Sequence, residues 1–170
     1  MAVVFDASIL IDLLNPRLKG DRRFRVDHLI ESLAKQRVKI LVPTPALTDL
    51  MVRAGKAREG YHRELTQSSR FRVEPFDAKA AMECALLLSE AWDKGKKTGI
   101  TRTKFKFDWQ IVAIAASRNA TAIYSDDEDL AAAARRVAIA VYTTDSLPLP
   151  QSALQSPLPH FEGDSNSDDA

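Results

Sequence analysis

Cysteine is nearly absent from this chain of 170 residues, since Cys84 is the only one. A lone thiol excludes an internal disulfide, and its place in the apolar run AMECALLLSEAW predicts a buried structural residue. The sequence also lacks an apolar run of the roughly 18–20 residues that a membrane span needs. Its first residues, MAVVFDAS, lack the basic segment of a secretory signal. We therefore expect a cytoplasmic protein with no membrane association.

Histidine is scarce as well, and the three residues His28, His62 and His160 show no spacing typical of metal ligands. A zinc site built from His and Cys is therefore not expected.

The chain has no large excess of positive or negative charge, since its net charge is only +1. The charged residues are nevertheless unevenly distributed along the sequence. Residues 151–170 contain four acidic residues and no Lys or Arg, so residues 1–150 carry 24 basic and 19 acidic ones. Three stretches are locally basic: 17–25, 53–63 and 94–106. Such a stretch is either ordinary solvated surface or a surface that binds phosphates.

Apolar runs and helical periods alternate along most of the chain. Strands are predicted at 2–5, 39–43, 72–76, 121–125 and 138–142, and helices at 7–14, 24–37, 45–54, 57–68, 78–94, 108–119 and 127–137. This alternation predicts one α/β domain, 1–145, with helices flanking a central, mostly parallel sheet of four to five strands. The Pro-rich, acidic residues 146–170 have the composition of a disordered tail.

Acidic residues follow several of these predicted strands. Asp6 comes directly after the first strand, Asp49 lies in the helix after the second, Asp108 opens a predicted helix, and Asp126, Asp127 and Asp129 follow the strand at 121–125. Because the ends of parallel strands meet at one edge of a sheet, these carboxylates are expected to converge there.

A second interpretation applies to most of these acids. Asp6, Asp108, Asp126 and Asp127 each occupy a position suited to a helix N-cap. Asp49 does not, because it lies inside an apolar helix. Four separate caps at one edge remain an alternative to an acidic cluster.

A cluster of carboxylates is unfavourable when empty, because like charges repel and burial removes their hydration. A divalent cation relieves both costs. Oxygen ligands without His or Cys favour Mg²⁺ or Mn²⁺, which keep open positions for water and phosphate.

Four segments, taken in order, resemble the acidic motifs of the PIN-domain ribonucleases, a family that includes the VapC toxins of type II toxin–antitoxin systems. The segments are FDASILIDLL, PTPALTDL, KFKFDWQIVAIA and IYSDDEDL. The resemblance covers about residues 2–145 and implies a three-layer PIN-like fold.

The resemblance also implies the site residues. Asp6, Asp49, Asp108 and Asp127 match the four catalytic acids, and Asp6, Asp108 and Asp127 are the implied metal ligands for Mg²⁺ or Mn²⁺. The family commonly has Glu where this chain has Asp49, so the carboxylate reaches about one methylene less far. Auxiliary roles are implied for Ser8, Ser125, Asp126 and Asp129, and contacts with the RNA backbone for Arg102, Lys104 and Lys106.

The function implied by this resemblance is a metal-dependent endoribonuclease that hydrolyses phosphodiester bonds of single-stranded RNA. The same resemblance implies a homodimer and a small antitoxin as partners. Two alternatives within the fold stay open: a housekeeping RNA-processing nuclease, and a protein that binds RNA or a partner without cutting.

Two other classes of protein are excluded by single residues. Phosphatases of the haloacid dehalogenase type need a second Asp two positions after the first, where this chain has Ser8. A receiver domain needs an acceptor Asp at the end of its middle strand, where this chain has Pro43.

Overall fold

The computed structural model describes residues 1–93 and 102–154, with the backbone alone for residues 92, 93 and 102–106. Its strands are β1 (Ala2–Phe5), β2 (Lys39–Pro43), β3 (Phe71–Glu74), β4 (Ala122–Tyr124) and β5 (Ala140–Tyr142). They form one sheet in the order β3-β2-β1-β4-β5, and all four neighbouring pairs are parallel. The predicted α/β class and parallel sheet are thus confirmed.

Helices connect these strands and cover both faces of the sheet. They are α1 (Ala7–Leu14), α2 (Gly20–Lys35), α3 (Thr44–Ala54), α4 (Arg58–Gln67), α5 (Ala78–Asp93), α6 (Arg102–Ser117), α7 (Glu128–Ala134) and the one-turn α8 (Gln151–Leu154). None of the helices among the described residues is long and apolar enough to cross a membrane.

The core consists of two clusters, one on each face of the sheet. Val4 of β1 packs in a cluster with α5, α6 and α7, whereas Val3 and Phe5 pack in a cluster with α1, α2, α3 and α4. This division follows from the alternation of side chains along a strand. Cys84 is buried in the first cluster, as expected for a structural thiol.

The start of α6 differs from the prediction. Asp108 was expected to open this helix, but α6 begins six residues earlier, at Arg102, so Asp108 is an interior residue. The segment RTKFKF contains no Gly or Pro to end a helix, and its polar residues hide the period on which the prediction depended. A capping role for Asp108 is therefore wrong.

The start of one other helix differs from the prediction for a related reason. Helix α2 begins at Gly20 rather than at residue 24, because its polar first turn carries no apolar period. The helix predicted at 57–68 is confirmed as α4, and a short 3₁₀ turn, Gly55–Ala57, joins it to α3.

The chain remains packed slightly beyond the predicted domain end at residue 145. Leu147 is buried in the second cluster, and the guanidinium of Arg25 donates to its carbonyl oxygen. Residues 155–170 of the predicted tail lie outside the described residues.

Candidate functional site

A cavity of about 580 Å³ lies at the carboxyl edge of the sheet, between α3 and α6. The four carboxylates singled out in the sequence all line it: Asp6, Asp49, Asp108 and Asp127. They come from the end of β1, the middle of α3, the second turn of α6 and the loop after β4. The expected convergence at one edge of the sheet therefore occurs in the folded chain.

Asp6 is placed by the pairing of β1 with β4. Its N–H donates to the carbonyl oxygen of Tyr124 at 3.0 Å, which extends the ladder by one residue and sets Asp6 beside Ser125. The Ser125 hydroxyl donates to Asp6 Oδ2 at 2.7 Å, and the Ser8 hydroxyl does so at 3.4 Å. Asp6 stands at the N-cap position of α1, but its side chain makes no capping hydrogen bond.

The Asp6 carboxylate is largely removed from water, since the residue is only 9% exposed. Burial raises the pKa of Asp6, and the nearby carboxylates of Asp127 and Asp49 raise it further. The hydrogen bonds from Ser125 and from the Ala7 N–H act in the opposite direction. The charged form of Asp6 is therefore disfavoured unless positive charge is supplied.

Asp127 serves as the N-cap of α7. Its side chain accepts from the backbone N–H groups of Asp129 and Leu130, at 2.9 Å and 3.4 Å. Its own N–H donates to Ser125 Oγ at 3.0 Å, so Ser125 joins Asp127 to Asp6. Because a carboxylate has two oxygens, a cap at Asp127 does not exclude a role as a metal ligand.

Three carboxylates of the described residues have the spacing of a cation site. Asp108, Asp127 and Asp129 each offer one oxygen, and these three atoms lie within 4.8 Å of one another. Oxygen donors without His or Cys fit Mg²⁺ or Mn²⁺. Asp6 lines the same cavity without belonging to this group, and Asp129, expected only as an auxiliary residue, does belong to it.

Asp49 has a different partner. It forms an ion pair with Arg53 one turn later in α3, with Nε–Oδ1 and Nη2–Oδ2 distances of 3.1 Å and 2.9 Å. The Asp49 side chain is 46% exposed, so it lies at the mouth of the cavity rather than at its base. Sequence reasoning did not predict this pair, although a spacing of four residues in a helix is its usual signal.

A second group of polar residues adjoins the cavity, and sequence reasoning missed most of it. Arg22 of α2 contacts Asp12 of α1, Asp126 and Asp145, while Thr144 donates to Asp126. The signals were an Asp within the apolar run ILIDLL and an Arg in the first basic stretch. Sequence alone does not show that the two meet.

The centre of the first basic stretch contributes to the packing of the fold. Arg22, Arg23 and Arg25 make contacts within the protein: Arg23 donates to Asp27 and to carbonyl oxygens at the end of α1, and Arg25 donates to the carbonyl oxygens of Asp145 and Leu147.

The predicted RNA contacts of Arg102, Lys104 and Lys106 lie outside the described side chains. The backbone of these residues forms the first turns of α6, which leads directly to Asp108.

Comparison with known families identifies the fold that carries this cavity. The family model for the PIN domain matches residues 3–136, which include all four predicted catalytic acids. The chain belongs to the PIN-domain family. The resemblance on which the site residues were chosen is thus confirmed at the level of the family.

Solved structures of toxin–antitoxin proteins have the same fold as this PIN domain. The chain is 20% identical to VapBC2 from Rickettsia felis bound to a promoter DNA fragment, with a TM-score of 0.60, covering 84% of this chain and 98% of that one. It is 16% identical to the Sarcin-Ricin loop cleaving toxin VapC20 from Mycobacterium tuberculosis, with a TM-score of 0.56 and coverages of 77% and 94%. For DNA-bound VapBC from Salmonella typhimurium, the identity is 17%, the TM-score 0.57 and the coverages 85% and 98%. A comparison with curated protein sequences found no match.

Proposed function

We propose that this PIN domain is a divalent-metal-dependent endoribonuclease that hydrolyses phosphodiester bonds of single-stranded RNA. One observation carries the proposal: four separate elements bring Asp6, Asp49, Asp108 and Asp127 to the same cavity. Negative charges held close together repel one another and lower the stability of the fold, which supports a role for these carboxylates in binding a cation.

Asp108, Asp127 and Asp129 are the residues that would hold Mg²⁺ or Mn²⁺, with Asp6 at the same cavity. When bound, such an ion would supply positive charge beside the phosphate and would lower the pKa of a bound water molecule. The predicted set, Asp6, Asp108 and Asp127, is thereby extended by Asp129.

The remaining residues orient these carboxylates. Ser125 donates its hydroxyl proton to Asp6 and accepts from the Asp127 N–H, so one buried side chain sets the relative position of the two acids. Ser8 does the same between Asp6 and the Asp126 N–H, at 3.4 Å and 3.1 Å. This geometry supports the auxiliary roles proposed for both serines. Orientation of this kind is needed because metal sites tolerate little displacement of their ligands.

The biological role that we propose is that of a toxin held inactive by a small antitoxin, in a homodimer located in the cytoplasm. Its support is the fold shared with VapBC complexes and with a toxin described as cleaving the Sarcin-Ricin loop. A cationic side chain from such an antitoxin would pair with the carboxylates. A short upstream reading frame encoding a DNA-binding protein would distinguish a toxin from a housekeeping nuclease.

Cleavage of labelled single-stranded RNA tests the nuclease directly. We expect the wild type to cut in Mg²⁺ or Mn²⁺ and not in EDTA, and Asp6→Asn and Asp108→Asn to lose activity because each removes a carboxylate from the cavity. Asp27→Asn is the matched control, because Asp27 pairs with Arg23 on α2 and does not line the cavity.

Two results would contradict the proposal in different ways. Full activity in Asp6→Asn and Asp108→Asn would show that the site is elsewhere. A wild type that binds RNA and cuts none of it would favour the non-cleaving alternative.

A further inference from the structure

We propose that Arg22 is a positioning residue for the cation site, acting through Asp126 on the turn formed by residues 125–127. The inference rests on the proposed function, because it concerns the carboxylate of Asp127 as a metal ligand. It assigns a role to two residues whose contacts the nuclease site itself does not explain.

Arg22 joins three segments that are distant in sequence. Its Nε donates to Asp12 Oδ2 at 2.7 Å, its Nη2 pairs with Asp126 Oδ2, and its Nη1 lies 3.4 Å from Asp145 Oδ1. The planar guanidinium, with donors fixed in a fork, suits this task better than an ammonium group. Arg22 therefore connects α1 and α2 to the loop that follows β4.

Asp126 lines the cavity, and its side chain is held by Arg22 and Thr144, which do not line it. Its Oδ1 accepts from the Thr144 N–H at 2.7 Å, and its Oδ2 accepts from Arg22 and from the Thr144 hydroxyl at 3.3 Å. Its backbone N–H donates to Ser8 Oγ at 3.1 Å. Both the side chain and the backbone of Asp126 are thus fixed, and both of its carboxylate oxygens are engaged within the protein.

This arrangement acts on the neighbouring residues through the peptide chain. Ser125, before Asp126, donates a hydrogen bond to Asp6. Asp127, after it, belongs to the cation group, the three carboxylates of Asp108, Asp127 and Asp129. Because the central residue of this turn is held in place, the orientations that Ser125 and Asp127 can adopt are restricted. We infer that the contacts of Asp126 fix the position of this turn, and that Arg22 holds the Asp126 side chain in place.

A positioning role and a purely electrostatic role for Arg22 predict opposite changes in cation affinity when Arg22 is replaced, which makes the inference testable. Removing the positive charge of Arg22 makes the surroundings of the site more negative and should tighten the binding of a cation. Loss of positioning should weaken it. The sign of the change therefore separates the two explanations.

The experiment measures the binding of Mn²⁺ alone to the full chain, from the free-ion signal in electron paramagnetic resonance. We expect Arg22→Met to weaken binding by about tenfold, the lower end of the loss typical when a group that orients a metal ligand is removed. Arg22→Lys keeps the charge and loses the fork, so it should weaken binding as well. Backbone amides of residues 125–127 should exchange hydrogen faster in both variants than in the wild type.

Arg25→Met is the matched control. Arg25 also lies on α2 and also holds the segment at 145–147, but it makes no contact with Asp126. It should lower the melting temperature as Arg22→Met does, without weakening Mn²⁺ binding.

Unchanged or tighter Mn²⁺ binding in Arg22→Met and Arg22→Lys would overturn the inference and leave the proposed nuclease intact. Equal weakening in Arg25→Met would overturn it as well, because the effect would then come from general destabilisation. A wild type that binds no Mn²⁺ would overturn the proposed metal site together with this inference.

Discussion

Asp6 and Asp49 line the same cavity, but their surroundings give them different properties. Asp6 is buried and accepts hydrogen bonds from the hydroxyl groups of Ser125 and Ser8, whereas Asp49 is half exposed and paired with Arg53. Arg53 compensates the charge of Asp49, whereas no ion pair of Asp6 is found among the side chains that the structure describes. Burial of a carboxylate with no cationic partner is the larger cost.

Replacement of Asp6 should therefore stabilise the protein without metal. We expect Asp6→Asn to raise the melting temperature in EDTA at neutral pH. Asn keeps an oxygen that accepts from Ser125, and it removes the negative charge of a carboxyl group whose pKa is raised by burial. For a chain of this size each kcal/mol gained corresponds to about 2–4 °C. Thermal unfolding followed by circular dichroism measures the change.

Asp27→Asn serves as the comparison for that measurement. It removes a carboxylate that is paired with Arg23 at the surface, so it should leave the melting temperature unchanged or lower it slightly. A lower melting temperature for Asp6→Asn in EDTA would show that the charge of Asp6 is not a cost to the folded state.

At the scale of elements, acids near helix starts differ in what they contribute. Asp77 caps α5, with Oδ1 accepting from the Ala80 N–H at 3.0 Å, and it also pairs at 2.7 Å with Arg118, the residue that follows α6. Asp127 caps α7 and also belongs to the group of three carboxylates with the spacing of a cation site, whereas Asp108, another member of that group, lies inside α6 rather than at its start. Residue type alone does not distinguish these three cases.

The stability that Asp77 contributes should depend on pH. The Ala80 N–H and the Arg118 guanidinium lower the pKa of Asp77 below its ordinary value. Its contribution is therefore fully present above the unfolded pKa of about 3.9, and it disappears as the pH falls through the lowered folded-state pKa.

Asp77→Ala tests this dependence. We expect the variant to unfold at a lower urea concentration than the wild type at pH 7, because the cap and the ion pair are lost. The difference between the two proteins should narrow as the pH is lowered below about 3.9. A difference that stays constant across this range would show that the charge of Asp77 does not contribute.

At the scale of the whole molecule, the sheet brings together residues that are more than 100 positions apart. Parallel pairing of β1 with β4 places Asp6 beside Ser125, and α6 crosses that edge with Asp108. The cation group therefore exists only in the folded chain, which couples metal binding to folding.

Metal should accordingly stabilise the folded state. At a free Mn²⁺ concentration of 100 times the dissociation constant, we expect a gain of about 2.7 kcal/mol, or about 5–10 °C in melting temperature. Differential scanning calorimetry with Mn²⁺ and with EDTA measures this shift.

Asp127→Asn is the variant to compare, because Asn is an equally good N-cap and keeps α7 capped while removing the charge. It should fold normally and show little shift with Mn²⁺. An equal shift in this variant would place the bound ion away from the proposed site.

Several features of the fold could be predicted from the sequence because they depend on local patterns. The strand AVVF follows from an apolar run and the helix α5 from a helical period, and the structure contains both at the expected places. The start of α6 could not be found in this way, because its polar first turns carry no period and Asp108 resembles a cap in sequence.

The sequence by itself determined the fold class and the candidate carboxylates, since alternating strands and helices leave few topologies and bring strand ends to one edge. The tertiary structure decided which partner each acid has. Arg53 at Asp49, Arg22 at Asp126 and Ser125 at Asp6 are three such partners. Two of these pairs join residues more than 100 positions apart, and such a contact is fixed by the packing of whole elements rather than by any local pattern.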